Sequence, residues 1–313
     1  MSQEIVIVIN PGSTSTKVAI YNRSGEISSV SIKHPQSELD RFDRISYQID
    51  YRYLMVEVEV GKLLKKCDCK VVGVVGRGGI VKPLTGGTYR INSSFIKDAK
   101  EGTYGDHASN LGSIIADKLK VKFGLDNSYT VDPVSCGNMW AKAEISGVPG
   151  IVRNGRGHPL NMKMTARKIA KIQDIPFDET NYVIAHLGGG ISISLVQGGK
   201  FVDVNDALLG MGPFSPNRAG ALPLRGVMKM CYEMPYDEVA STLSKSSGLK
   251  AYLGTEDIRD VLKMIYDGDE KAELIYEAFV YQIAKEIGAY FAASKGKAQA
   301  IIIKASKQKY FEQ

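Results

Sequence analysis

The first apolar pattern lies at the start of the chain. Residues 5–9 are apolar and β-branched, Asn10-Pro11-Gly12 and a hydroxyl-rich stretch at 13–16 follow, and a second apolar run begins at Lys17. This order predicts a strand, a tight turn and a strand. The turn offers backbone N–H groups, hydroxyls and one cation to an anion such as a phosphate. An ordinary hairpin with a polar tip has the same pattern, so the stretch alone leaves both interpretations open.

The same order of strands and turns returns in the second half of the chain. Residues 26–32 are predicted to form a third strand after the first hairpin, and strands are again predicted at 182–185, 191–196 and 201–204. We therefore predict a structural duplication. It implies an α/β fold of two lobes, residues 1–180 and 181–313, each beginning with a hairpin whose tip faces a shared cleft.

Further elements follow from shorter patterns. Buried strands are predicted at 71–75, 128–131 and 300–303, and helices at 164–172, 237–244, 256–266 and 270–294, while residues 38–66 show mixed helical periodicity. Asp106 is predicted to cap a helix that carries Leu111. The buried side of the longest helix is predicted to carry apolar residues at helical spacing: Leu274, Phe279, Ile283, Ile287 and Phe291.

Two candidate functional residues come directly after predicted strands. Arg77 stands among three glycines, which let a backbone approach a ligand, and its guanidinium suits a carboxylate or phosphate. Asp132, followed by Pro133, is a candidate magnesium or substrate ligand. A solvent-facing arginine and an ordinary surface turn remain the alternatives. Arg218 lies in a third loop, which is rich in proline and glycine.

Composition narrows the classes of function. The chain has 313 residues, 44% of them hydrophobic and 24% charged, with a net charge of +6 and no dense basic block. This favours a small anionic ligand and no nucleic acid partner. No apolar run approaches the roughly 20 residues that span a bilayer, so we expect a cytoplasmic protein without membrane contact. The four scattered cysteines are expected to be reduced thiols.

The known P-loop and dinucleotide motifs are absent, but a different series of motifs is present. Together these motifs resemble the butyrate kinases, over nearly the entire chain and in the same order. The motifs are NPGSTSTK at 10–17, VGRGG at 75–79, YGDHASN at 104–110, VDPV at 131–134, AHLGGGIS at 185–192, GPFSPNRAG at 212–220 and AYLGT at 251–255.

The resemblance implies two duplicated ribonuclease-H-like lobes and reversible phosphoryl transfer between ATP and a short-chain carboxylate, with ATP/ADP and Mg²⁺ bound by a homo-oligomer. It implies a first phosphate turn with Asn10, Ser13 and Lys17, and a second phosphate turn with His186, Gly188, Gly189 and Gly190. By the same resemblance, Arg77 and Arg218 would hold the carboxylate and offset charge on the phosphoryl group, and His158 would contact the transferring phosphoryl. Asp132 would be the acidic residue near magnesium and a metal ligand. For His107 and Lys17 a purely structural role stays open.

The chain departs from that family in three places. Gly137-Asn138 replaces an acidic pair, Gly155-Arg156-Gly157 replaces bulky apolar residues, and after residue 303 the expected Thr-Gly-Gly turn and adenosine-binding segment do not follow. We therefore expect a shortened C-terminus and an incomplete nucleotide side. Two alternatives follow: a kinase for acetate, propionate or a branched acid, and a non-catalytic relative that keeps only the fold.

Overall fold

A computed structural model describes residues 2–305 of the chain. The chain forms two compact units, one ending at Cys136 and the other beginning at Gly137. The division predicted at residue 180 and the cleft between lobes stay predictions. The expected changes after residue 305 lie outside the described residues.

The strands and helices alternate along the chain. The strands are β1 (Gln3–Pro11), β2 (Ser15–Asn22), β3 (Gly25–Lys33), β4 (Cys69–Gly76), β5 (Thr88–Arg90), β6 (Tyr129–Val131), β7 (Asn181–Leu187), β8 (Ser192–Gln197), β9 (Lys200–Val204) and β10 (Ala300–Ala305). The helices are α1 (Gln36–Leu39), α2 (Ile49–Leu64), α3 (Ser93–Glu101), α4 (Asn110–Lys122), α5 (Ala141–Glu144), α6 (Pro159–Ile172), α7 (Leu224–Glu233), α8 (Tyr236–Lys245), α9 (Gly248–Leu253), α10 (Ile258–Tyr266) and α11 (Glu270–Ala293). Short 3₁₀ turns occupy Ile45–Gln48 and Phe177–Glu179.

The first unit is built on a mixed sheet with the strand order β3-β2-β1-β4-β6-β5. The three N-terminal strands form an antiparallel meander, whereas β1, β4 and β6 are parallel neighbours. Alternate residues of β1, among them Ile5, Ile7 and Ile9, are fully buried beneath α2 and α4. The parallel strands β1, β4 and β6 end at the same edge of the sheet, so the loops that follow them lie close together.

The second unit repeats this scheme. Its sheet has the order β10-β7-β8-β9, in which β7, β8 and β9 form an antiparallel meander and β10 runs parallel to β7. Read in the opposite direction, β9-β8-β7-β10, this order corresponds to β3-β2-β1-β4 in the first unit. Strand β7 is buried over most of its length, between α6 on one face and α11 on the other. The predicted duplication is therefore confirmed.

Several local predictions need correction. Helix α4 begins at Asn110, four residues after the predicted cap Asp106, and its first turn is preceded by Ser109. On α11, Phe279 and Ile283 are buried as predicted, but the side chains of Leu274 and Phe291 are 63% and 40% exposed. A 24-residue helix against a small sheet has only part of its apolar stripe in contact with the core.

Two cysteines also differ from expectation. Cys67 and Cys69, expected as reduced thiols, form a disulfide just before and within the start of β4. Cys136 is a buried thiol and Cys231 an exposed one.

Within residues 2–305, no helix combines the length and the apolar character that a membrane crossing requires.

Candidate active site

Three of the predicted site residues meet at one edge of the first sheet. Asn10 lies at the end of β1, Arg77 directly follows β4, and Asp132 directly follows β6. Because these strands are adjacent and parallel, their carboxyl ends lie side by side. Arg77 Nη1 donates to Asn10 Oδ1 at 3.2 Å, and the Arg77 N–H extends the ladder by donating to the Ile9 carbonyl at 2.8 Å.

The glycines around Arg77 have a different use from the one that the sequence suggests. A Cβ atom on Gly76 would overlap the backbone of Gly112, and one on Gly79 would overlap Asn110. A Cβ on Gly78 would meet Pro133. The glycines therefore let the Arg77 loop pack against the start of α4, which fixes the arginine instead of opening the loop to a ligand.

Arg77 has no carboxylate partner among residues 2–305. Burial lowers the pKa of its guanidinium, and this is the only cause of that shift. An arginine that is partly removed from water without an anion beside it suits an anionic ligand.

Asp132 has an unusual backbone. Its φ of 40° lies in the left-handed region, which Asp and Asn adopt more readily than other non-glycine residues. The residue is 7% exposed, and its Oδ1 accepts a hydrogen bond from the Gly87 N–H at 2.8 Å. The carboxylate is thus held in one orientation at the end of β6.

The predicted first phosphate turn, residues 10–17, is a β-hairpin tip, which confirms the strand-turn-strand prediction. Asn10 pairs with Lys17 and Pro11 with Thr16, so β2 begins at Ser15, earlier than the predicted Lys17. Asn10 and Ser13 are exposed. Lys17 Nζ lies 3.5 Å from Glu26 Oε2 in an exposed ion pair, which is compatible with the structural alternative.

A buried polar cluster that the sequence did not single out lies behind this turn. Its members are Thr16, His34, Gln48 and Arg52, none more than 7% exposed. His34 Nε2 and Thr16 Oγ1 are 2.8 Å apart. Burial, followed by the charge of Arg52, lowers the pKa of His34 to about 4, so this histidine is neutral at pH 7.

One sequence signal could have identified Arg52. In α2 the buried residues are Arg52, Val56, Val60 and Leu63, which recur at helical spacing. A cation in line with three apolar residues on one helix face has to find acceptors inside the protein.

In the second unit, the rings of two predicted histidines are in contact and tilted relative to each other. The rings of His158 and His186 have centroids 4.3 Å apart and an interplanar angle of 32°. His186 is at the end of β7 and is 6% exposed, whereas His158 immediately precedes α6. His158 Nδ1 is 2.9 Å from the Oγ of buried Ser192, on β8. The hydroxyl therefore fixes the orientation of the half-buried ring.

Arg218 lies against the second glycine turn, residues 188–190. A Cβ on Gly190 would overlap the Arg218 guanidinium, so any other residue there would require that guanidinium to move. The turn is also held by Ser215, whose Oγ donates to the Gly189 carbonyl at 2.7 Å. Arg218 Nη1 donates to the Ala207 carbonyl.

The charge of Arg218 is not neutralised by a direct ion pair among residues 2–305. Its Nε is buried and has no hydrogen-bond partner there. Burial lowers the pKa of the guanidinium, and the more distant Asp206 partly opposes that effect. Arg218 is thus a second guanidinium with unused capacity for an anion.

The departure at 155–157 has a packing explanation. A Cβ on Gly155 would overlap the side chains of Met139 and Val204. Arg156 between the glycines donates through Nε and Nη2 to Asp206 Oδ2, at 3.0 and 2.5 Å. These residues therefore form a compact support beside His158.

His107 has the structural role left open by the sequence. Its Nδ1 accepts a hydrogen bond from the Ser109 N–H at 3.2 Å, immediately before α4.

Solved structures show which class of fold this is. The chain is similar to acetate kinase from Porphyromonas gingivalis, with a TM-score of 0.73, 19% identity, and coverage of 95% of this chain and 82% of that one. It is also similar to a propionate kinase from Francisella tularensis, with a TM-score of 0.74, 20% identity, and coverage of 96% and 83%. The fold is that of the acetate and propionate kinases, as the family resemblance implies.

Sequence comparison identifies the family. The acetokinase family model matches residues 146–306. Butyrate kinase 2 of Clostridium acetobutylicum is 39% identical, and probable butyrate kinase 2 of Caldanaerobacter subterraneus subsp. tengcongensis is 42% identical, each over 303 residues that cover 95% of this chain and 84% of the relative. The chain belongs to the acetokinase family. The expectation of an ATP-dependent carboxylate kinase is confirmed, and the non-catalytic alternative is not favoured.

Proposed function

We propose that this enzyme transfers the γ-phosphoryl group of ATP reversibly to a short-chain, butyrate-like carboxylate. The two relatives that match 95% of the chain carry the name butyrate kinase, which supports this substrate over acetate. The structural observation that carries the proposal is that each unit has one guanidinium, Arg77 in the first and Arg218 in the second, that lacks a carboxylate partner in the described part of the chain. Carboxylate and phosphate are the anions that such groups bind in bidentate geometry.

In the reaction, a carboxylate oxygen forms a bond to the γ-phosphorus while the bond from that phosphorus to the bridging oxygen breaks. ADP leaves with the electron pair of the broken bond. Two anions have to approach each other, so the principal requirements are charge compensation and in-line positioning. No proton has to be removed from the ionised carboxylate, and a general base is therefore unnecessary.

We assign roles to residues on this basis. Arg77 and Arg218 hold the carboxylate and offset charge on the moving phosphoryl group, and His158 donates a hydrogen bond to that group. The first phosphate turn, with Asn10, Ser13 and Lys17, and the second, with His186, Gly188, Gly189 and Gly190, bind the nucleotide phosphates.

Mg²⁺ can bind at a site where the protein supplies only one or two ligands. Within residues 2–305 no cluster of three or more His, Cys, Asp or Glu side chains could hold a metal ion. Mg²⁺ commonly uses one or two carboxylates together with substrate phosphates, and the fixed carboxylate of Asp132 suits that mode. When bound, the ion would neutralise phosphate charge. A cytoplasmic homo-oligomer stays a prediction.

The decisive experiment measures acyl phosphate, trapped with hydroxylamine, over linear and branched acids of two to six carbons. We expect turnover with ATP and Mg²⁺ and the highest kcat/KM for a four-carbon acid. One methylene changes binding by only about 1–3 kcal/mol, so neighbouring acids should also react. A preference for acetate would contradict the proposed substrate, and no turnover with any acid would contradict the proposed reaction.

A further inference from the structure

The first phosphate turn rests on a buried arginine. Arg52, on α2, is 1% exposed. Its Nη1 donates to the Gly12 carbonyl and its Nη2 to the Ser13 carbonyl, each at 2.7 Å. Nε and Nη2 also donate to Gln48 Oε1, at 3.0 and 2.8 Å. One rigid guanidinium therefore holds two consecutive carbonyls of the turn.

These contacts set the direction of two backbone amides. In a trans peptide the carbonyl and the following N–H point to opposite sides of the chain, and no cis peptide is present among the described residues. Because the Gly12 and Ser13 carbonyls point toward Arg52, the N–H groups of Ser13 and Thr14 point away from it. Both residues are exposed, and no described residue accepts a hydrogen bond from either N–H. Successive amides on one side of a turn are suited to bind an anion.

Arg52 also has no ion-pair partner among residues 2–305. Its acceptors are the two carbonyls, the Gln48 amide oxygen and, at 3.5 Å, the Thr16 hydroxyl, none of which is ionised. Burial lowers the pKa of Arg52 to about 10, so the group stays protonated at neutral pH. A buried cation without an anion is costly, and an anion on the far side of the turn would offset that cost.

We propose that Arg52 is a positioning residue for the nucleotide phosphates. Its Nη1 and Nη2 donors hold the turn so that the Ser13 and Thr14 amides face the ligand. Its positive charge attracts phosphate across the turn. Arg52 itself does not touch the substrate. This inference rests on the proposed kinase function of the first phosphate turn.

The test uses three variants of the full chain. Arg52→Met removes charge and donors, Arg52→Lys keeps the charge but loses the fork, and Arg41→Met makes the same change at an exposed arginine that pairs only with Glu38 among described residues. Calorimetry gives the ATP dissociation constant, and kinetics give KM and kcat. We expect Arg52→Met to weaken ATP binding about tenfold or more, Arg52→Lys to be intermediate, and Arg41→Met to match the parent protein.

The separation of KM from kcat distinguishes positioning from a merely structural role. A destabilised but otherwise normal site would lower the active fraction and kcat, while KM and the ATP dissociation constant stay unchanged. That result in a folded Arg52→Met protein would overturn the inference and leave the proposed reaction intact. The proposed reaction is tested separately, since its failure would appear as absent turnover in the unchanged protein.

A measurement on the unchanged protein covers the case in which the Arg52 variants do not fold. Amide resonances of Ser13 and Thr14 are followed by NMR during titration with ATP. We expect their shifts to be among the largest in residues 2–136, because both N–H groups donate to phosphate. Unchanged resonances at saturating ATP would overturn the inference.

Discussion

His158 and Ser192 form a hydrogen bond that links the residue before α6 to the buried face of β8, with Nδ1 and Oγ 2.9 Å apart. The bond holds the imidazole ring of His158 through its Nδ1 atom. A histidine that donates to a phosphoryl group needs a fixed ring orientation, and Ser192 supplies it.

The first prediction concerns Ser192→Ala. Loss of one hydrogen bond to the ring should lower kcat about tenfold with a smaller change in KM, because the bond orients the side chain that we propose to donate to the transferring phosphoryl group. Ser194→Ala is the matched control, since Ser194 is equally buried on the same strand and bonds instead to the Asp203 carbonyl at 2.8 Å. Equal losses of kcat in both variants would contradict the assigned role of His158.

Arg218→Ala is expected to be more severe. If Arg218 compensates charge in the transition state as proposed, its removal should lower kcat about 10³-fold or more, with little loss of secondary structure. Arg153→Ala is a fair comparison, since Arg153 also lies in the second unit, donates to the Ala143 carbonyl and pairs with Asp203. We expect that variant to lose stability but keep kcat. An unchanged rate in Arg218→Ala would remove Arg218 from the mechanism.

Asp132→Asn isolates the effect of one negative charge. Asparagine tolerates the left-handed backbone at this position and retains an acceptor for the Gly87 N–H. Stability should therefore change little, while the Mg²⁺ concentration for half-maximal rate should rise about tenfold or more.

Asp132→Ala serves as the comparison for that variant. It loses the Gly87 hydrogen bond as well and should be about 1–3 kcal/mol less stable by denaturant unfolding. A normal magnesium requirement in Asp132→Asn would show that the carboxylate does not act near the metal.

Local sequence patterns were sufficient to locate most strands and the residues after them. Apolar β-branched runs that end in Gly, Pro, Asn or Asp mark strand ends, and Arg77 and Asp132 are candidates for that reason, whereas Asn10 is implied by the family resemblance. Their meeting at one edge depends on β1, β4 and β6 being parallel neighbours, which no local pattern encodes.

The supports of the site were harder to predict, because they depend on contacts that are distant in sequence. Arg52 contacts Gly12 from a helix 40 residues away, and Ser192 contacts His158 across 34 residues. The glycines near Arg77 show the same difficulty, because their reason is the backbone of α4 and not the loop itself. The sequence therefore indicates residues that could contact a substrate more readily than it indicates the residues that hold them in place.

The last prediction concerns acid stability and His34. Burial lowers the pKa of His34 from 6.5 to about 4, so the unfolded chain binds a proton at higher pH than the native protein does. The stabilising contribution is therefore complete above pH 6.5 and is lost as the pH falls toward 4, with a total of up to about 3 kcal/mol. Denaturant unfolding at pH 7, 5.5 and 4.5 measures it.

The pH dependence should be weaker in His34→Gln, which keeps polar groups able to reach Thr16 but cannot titrate in this range. His107→Gln is the matched control, because His107 belongs to the same unit and lies outside the buried cluster behind the first phosphate turn. It should retain the slope between pH 7 and 4.5 that His34 causes. Since His34 contacts Thr16 and lies in the field of Arg52, its protonation would place a second cation beside the first. An identical pH slope in His34→Gln and the parent protein would show that another group controls acid unfolding.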